Sequence, residues 1–223
     1  MDTTTRRPAS AAAEHPDDAD GTILYAGDLG EDHPGFSDLG YRARRAEIGH
    51  IGAEHRRGAA IMQVPYIDAE HEVWRQVTTK LNTMFDTYAP AELVEANERF
   101  GLPTDHVPQL DEVSEILTPL TDFSYEPVPG LVAPKAFYGT LKDGIFQSTQ
   151  YIRHSSAPFY TPEPDVIHEV AGHGIHLSSD RFTRMYRLVG AAVDAAQTPA
   201  AIAFVSRFFW HTMEFGIVRD TVG

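Results

Sequence analysis

Between Ala69 and Tyr88 the apolar residues Val73, Trp74, Val77, Leu81, Met84, Phe85 and Tyr88 recur at helical spacing. A helix with such a stripe has to bury it against another element, so this one segment commits the chain to a helical layer. Asp68 is placed to cap its start. Similar stripes follow. Pro90 opens a second helix and Gly101 closes it. Gln109 to Leu117 reads as a third, with Leu110, Val113, Ile116 and Leu117 on one face. Towards the end, Phe182, Met185, Tyr186, Val189 and Val193 form one more stripe, with Asp180 as cap. Ile202, Val205, Phe209 and Met213 form the last, opened by Thr198-Pro199. Between these groups, Pro127, Pro129, Gly130, Pro134, Gly139 and Gly144 break every periodic run from Phe123 to Ser148. Short strands or irregular loops are expected there. A stretch of that length inside a compact domain is usually functional or disordered, and its aromatic residues argue for order. The fold class is mainly α.

Length and charge narrow the rest. The 223 residues suit one large domain with its own core. Residues 1–31 are polar, acidic and without period, which predicts a disordered or extended tail before a domain over residues 32–223. A net charge of −14 repels phosphate backbones, so no nucleic-acid partner is expected. No apolar run approaches the roughly 18 residues that span a bilayer. MDTTTRRPAS is followed by AAAEHPDDAD rather than by an apolar signal segment. The expectation is a cytoplasmic protein without a membrane partner. Arg42, Arg44, Arg45, Arg56 and Arg57 read as a solvated helix face. The chain has no cysteine, so disulfides, thiolate nucleophiles and iron–sulfur clusters are excluded. Any metal site draws on Asp, Glu and the 11 histidines.

The densest chemical signal is PEPDVIHEVAGH. His168 and His173 stand five residues apart, with Glu169 beside the first. In the H-E-x-x-H pattern of zinc proteases the histidines are four apart and share a face. Five residues on an ideal α-helix separate two side chains by about 140°. Gly172 permits a local bend that would bring the rings together. Glu214, in WHTMEFG, puts a carboxylate among Trp210, Met213 and Phe215, where burial is costly unless the charge is paired or bound to a metal. Two histidines and one carboxylate match the facial triad of non-haem iron(II) oxygenases. Zinc with the same donors is the competing chemistry. Core histidines with no metal are the third possibility, and spacing alone does not separate the three.

PEPDVIHEVAGH, TQYIRH and WHTMEFG together resemble the pterin-dependent aromatic amino acid hydroxylases. DHPGFSDLGYRARR from Asp32, VPYIDAEHEVW and VPQLDEVSEIL extend the resemblance in order from Asp32 to Arg219. The resemblance implies a basket-like, mainly helical catalytic domain, with short strands and loops around one non-haem iron. His168, His173 and Glu214 match the iron ligands. Arg153 matches the arginine that holds the substrate carboxylate, with a structural salt bridge to Asp165 as its bland alternative. Thr161 matches a residue at the amino-acid backbone end, and Pro164 and Trp210 match walls beside the aromatic ring. Phe137 matches the ring that stacks on the pterin. Gly130 and Val132 match backbone contacts to it, and Glu169 the acid near it. The implied cofactors are Fe(2+) and tetrahydrobiopterin or another reduced pterin. The implied reaction consumes dioxygen, one oxygen atom going to the pterin and the other to the ring of an aromatic amino acid. Trp210 resembles the phenylalanine and tyrosine members, and L-phenylalanine to tyrosine is favoured. A zinc hydrolase with Glu169 as base, and a non-catalytic metal-binding relative, are the rival readings.

Two departures from the family pattern stand out. Where the family has G-H-V-P-L-L, this chain has Gly172-His173-Gly174-Ile175-His176-Leu177, and the extra His176 reads as a surface residue or one behind the ligands. The resemblance also places, after the glutamate, a segment that hydrogen-bonds the first histidine and walls the pocket. This chain ends at Gly223. The expectation is a His168 without a partner for its second nitrogen, a cavity open towards Gly223, and pterin consumption exceeding product. With no tetramerisation segment, a monomer or weak dimer is expected.

Overall fold

The computed structural model describes residues 24–25, 29–217 and 219. The expected tail of residues 1–31 falls mostly outside them, as does the expectation for the cavity side near Gly223.

Helix α1 spans Leu39–Glu54, its first turn closed by the Asp38 carboxylate, which accepts from the Tyr41 N–H at 2.9 Å. Helix α2 is Asp68–Tyr88 and buries Val73, Trp74 and Val77 as the stripe requires. Its capping carboxylate is not Asp68. Glu70, one turn in, reaches back to accept from the Ile67 N–H at 2.9 Å. Helix α3, Ala91–Phe100, follows Pro90 and ends at Gly101, whose φ of 56° takes the left-handed conformation that stops helices cheaply only at glycine. Helix α4, Leu110–Thr121, runs four residues beyond the expected end at Leu117.

The stretch expected as strands and loops contains them, and a helix as well. Strand β1 (Leu24–Tyr25) pairs antiparallel with β3 (Gly130–Leu131). Strands β2 (Ser124–Pro127) and β4 (Ile145–Ser148) pair in parallel, with Tyr125 opposite Phe146 and their buried rings 5.1 Å apart. Helix α5, Pro134–Leu141, lies between them. Pro134 opens it at a first-turn position, where proline's missing N–H costs nothing.

Helix α6 is Gly174–Leu177 and α7 is Asp180–Ala195. The residue ahead of α7 is Ser179, so Asp180 is its first helical residue rather than its cap. Tyr186, Val189 and Val193 are buried as expected, but Met185 is exposed. Helix α8, Pro199–Phe209, is capped by Thr198, whose hydroxyl accepts from the Ala201 N–H. One core joins most of these elements, with Trp74, Phe100, Leu117, Phe123, Tyr125, Phe146, Tyr186 and Phe209 all buried in it, while Ile48 of α1 packs with Val64 and Tyr151 in a second, smaller cluster. The solvated arginine face is corrected at Arg45, which is buried, 2.6 Å from Glu163, and stacked 3.8 Å over the Tyr151 ring. No helix among the described residues is long and apolar enough to cross a membrane.

Candidate metal centre

His168 and His173 lie on a single π-helical turn, Ile167–His173, in which backbone bonds reach five residues back. The N–H of Gly174 closes that turn on the carbonyl of Glu169. A turn of this width stacks residue i+5 over residue i, so the wider winding replaces the bend expected at Gly172. The two Nε2 atoms face each other at 3.0 Å. Asp165, fully buried, anchors the start by accepting from the His168 N–H at 3.1 Å. Glu214 ends a second π-helical turn, Trp210–Glu214, which continues α8 and closes with the Phe215 N–H on the Trp210 carbonyl at 3.1 Å. Its Oε1 is 4.0 Å from His173 Nε2. One ligand atom from each of His168, His173 and Glu214 lies within 4.8 Å of the others. Two nitrogens 3.0 Å apart have the spacing of neighbouring ligands on one ion, about 90° apart for bonds of about 2.0–2.2 Å.

Burial sets the charge state of this cluster. It holds the His168 imidazole below its ordinary value. It holds His173 well below, with help from His168 and His176. Both rings are therefore neutral, the form that offers a lone pair to a metal. Burial pushes the Glu214 carboxyl up to about 7, although its side chain keeps 22% of its exposure. Glu169 is raised further, first by burial and then by the charges of Glu214 and Asp165, against a hydrogen bond from the Thr149 backbone. An open cleft over the cluster is lined by Gly130, Val132, Phe137, Pro164, Glu169 and Gln147 besides the three ligands. Gln147 Oε1 is buried there without a hydrogen-bond partner, which suits the polar edge of a ligand. A larger groove of about 640 Å³, between residues 55–61, α4 and β2, lies away from the cluster. Chemistry rather than volume locates the site.

A family profile described as biopterin-dependent aromatic amino acid hydroxylase matches residues 14–222. The chain belongs to this family. It is 42% identical over 188 residues to the phenylalanine 3-hydroxylase of Streptomyces coeruleorubidus, covering 84% of this chain and 67% of that one. It is 38% identical over 203 residues to human phenylalanine-4-hydroxylase, covering 89% of this chain and 44% of that one. The phenylalanine hydroxylase of Chromobacterium violaceum, solved with bound iron(III) and 7,8-dihydrobiopterin, superposes with a TM-score of 0.68 at 27% identity, over 71% of this chain and 58% of that one. The chain thus spans about two thirds of the first of these relatives and less than half of the human one. The zinc-hydrolase reading finds no support in this family.

The residues that resemble the hydroxylases' functional positions divide into two groups. His168, His173, Glu214, Glu169, Gly130, Val132, Phe137 and Pro164 meet at the cleft. Phe137 meets Tyr138 and Phe146 edge to face, at 5.1 and 5.4 Å. Arg153, Thr161 and Trp210 are not among the lining residues. Arg153 spends its fork on Asp165, Nε to Oδ2 at 2.9 Å and Nη2 to Oδ1 at 2.7 Å. The Thr161 hydroxyl donates to the Glu163 carbonyl, and Trp210 packs edge-on to Phe215 with 37% of its surface exposed. Several lining residues escaped the sequence reading, and three of them carry polar groups of interest. Gln147, Ser206 and Tyr138 also line the cleft. A strand drawn over β4 would have set Gln147 on the face opposite the buried Phe146 and Ser148; nothing in the sequence singled out the other two. His176 sits behind the ligands, stacked 4.7 Å from Phe182, with burial lowering it to about 4.

Proposed function

We propose that the chain is an iron(II)- and tetrahydropterin-dependent monooxygenase that hydroxylates the ring of an aromatic amino acid, with L-phenylalanine to tyrosine as its reaction. The convergence of His168 Nε2, His173 Nε2 and Glu214 Oε1 on one point carries this reading. Three donors on one side of an ion leave about three positions for water, dioxygen and substrate. When bound, the iron and the pterin would supply the oxygen activation that no side chain here can perform. Phe137 would stack on the pterin, with the Gly130 and Val132 backbone along its edge and Glu169 near it. Pro164 and Trp210 would wall the substrate ring. Arg153, steadied by Asp165, would present its remaining N–H groups to the amino-acid carboxylate, near Thr161. We read residues 32–223 as one catalytic domain. The whole chain's net charge of −14 favours a monomer or weak dimer, and the cytoplasm is the location proposed for it.

Anaerobic loading with iron(II), then air, reduced pterin and one of L-Phe, L-Tyr or L-Trp, tests the reading. Hydroxylated phenylalanine that depends on both iron and pterin is the expected result. Turnover with zinc in place of iron, or none with any of the three amino acids, would overturn it. The resemblance to a 3-hydroxylase makes the ring position worth reading directly: para-tyrosine marks attack at C4 and meta-tyrosine at C3.

A further inference from the structure

Tyr186, on α7, is fully buried, and its hydroxyl oxygen sits between two imidazoles. It is 2.7 Å from Nδ1 of His173 and 3.2 Å from Nδ1 of His176. Phe209 holds the tyrosine ring edge-on at 5.2 Å, and Phe182 stacks on His176 at 4.7 Å, so neither ring is free to swing away. The two ligand histidines differ in this respect. Among the described residues His168 Nδ1 has no such partner.

The protons on this line of three groups can be placed. If Nε2 of His173 is to offer its lone pair to a metal, the ring proton must reside on Nδ1. That N–H then donates to the Tyr186 oxygen. The tyrosine hydroxyl has one proton to give, and the acceptor within reach is Nδ1 of His176. Without that acceptor the hydroxyl would be free to turn and donate to His173 Nδ1. The imidazole proton would then sit on Nε2, and the ligand position would be blocked.

We infer that Tyr186 and His176 are positioning residues which lock His173 in the tautomer that binds metal, His176 acting from behind through the tyrosine hydroxyl. The inference rests on the metal reading above. It assigns a role to a histidine that stands where the hydroxylase pattern has none, and it requires a hydroxyl rather than a bare ring on α7. An outer partner of a ligand histidine typically changes metal affinity by about 10- to 100-fold.

Cobalt(II) titration of the purified chain, followed by its visible absorption, tests this. Tyr186→Phe and His176→Leu should each weaken binding by about 10- to 100-fold. His176→Asn, whose Oδ1 can replace the Nδ1 acceptor, should recover most of the loss. Nitrogen-15 NMR of the metal-free chain should place the His173 proton on Nδ1 in the parent and shift it towards Nε2 in Tyr186→Phe and His176→Leu. A purely structural role would move the melting temperature without moving the tautomer or separating Asn from Leu at position 176. Parent-like affinity in His176→Leu, or equal loss in Asn and Leu, would overturn the inference while leaving the metal site standing. No cobalt binding by the parent chain would overturn the metal reading, and this inference with it.

Discussion

Arg45 reaches from α1 to Glu163 at 2.6 Å, donates to the Tyr41 hydroxyl at 3.2 Å, and covers the Tyr151 ring. Tyr41 in turn donates to the Ile152 carbonyl at 3.0 Å, so one guanidinium ties α1 to the segment carrying Arg153 and Thr161. Removing one partner of a buried pair leaves the other charge without compensation, which costs about 3–5 kcal/mol. Glu163 keeps some exposure, so Arg45→Ala should cost about 3 kcal/mol, read from urea unfolding. A change under about 1 kcal/mol, the range of surface pairs, would mean the pair is effectively solvated. The residue types of the metal cluster were legible in the sequence because chemistry limits the donors. Arg45 was not, because its partner stands 118 residues away and a run of arginines looks the same whether it meets water or a buried glutamate.

Helices α5 and α7 touch at Gly190. A Cβ there would come within 2.5 Å of the Lys142 nitrogen and 2.8 Å of the Tyr138 carbonyl, both backbone atoms that cannot step aside. Gly190→Ala should therefore destabilise the chain by about 1–3 kcal/mol, as overpacking does, despite alanine's better helix propensity. A thermal melt equal to the parent's would show that the helices can separate at no cost. The same contact explains why α7 was legible and α5 was not. α7 shows a stripe of buried residues, whereas α5 is eight residues long between a proline and glycines that read as breakers. One of those, Gly144, does serve a turn, with φ of 75° just before β4. Helix boundaries set by proline and glycine came out of the sequence correctly at α3 and α8. Those set by acidic residues did not: Asp68 and Asp180 lie one position inside the ends they were expected to cap.

On the scale of the molecule, the three ligands come from two segments distant in sequence, one ahead of α6 and one after α8. A metal bound there ties them together, and anything that binds only the folded state stabilises it. At about 100 times its Kd, iron(II) should add about 2.7 kcal/mol. That corresponds to a rise in Tm of about 5–10 °C for a chain of this size. Anaerobic calorimetry with and without a chelator checks it, and Glu214→Gln should abolish most of the difference. An unchanged Tm in the parent would mean the cluster does not hold the ion. The mainly helical class and the pairing of the two ligand segments were legible because motif order survives in the sequence. How the histidines reach one face was not, since helical periodicity assumes the ordinary turn.

That wide turn has an evolutionary consequence. A π-helical turn amounts to an α-helix with one residue added, so its length is a heritable variable in its own right. Deleting Ala171 from His-Glu-Val-Ala-Gly-His leaves His-Glu-Val-Gly-His. The rings then stand four residues apart on an ordinary helix, again on one face. In any other helix a single deletion would swing the second ligand by about 100° and scatter the donors. Here it should keep both histidines on the metal while replacing the i→i+5 bonds with i→i+4 bonds. The deletion variant should therefore still titrate cobalt with two nitrogen ligands, visible in its absorption; loss of one nitrogen ligand would show that the turn cannot shorten in this way. Histidine spacings of four and five residues for a metal on a helix would then be a single codon apart, with both ring nitrogens on one face before and after the change.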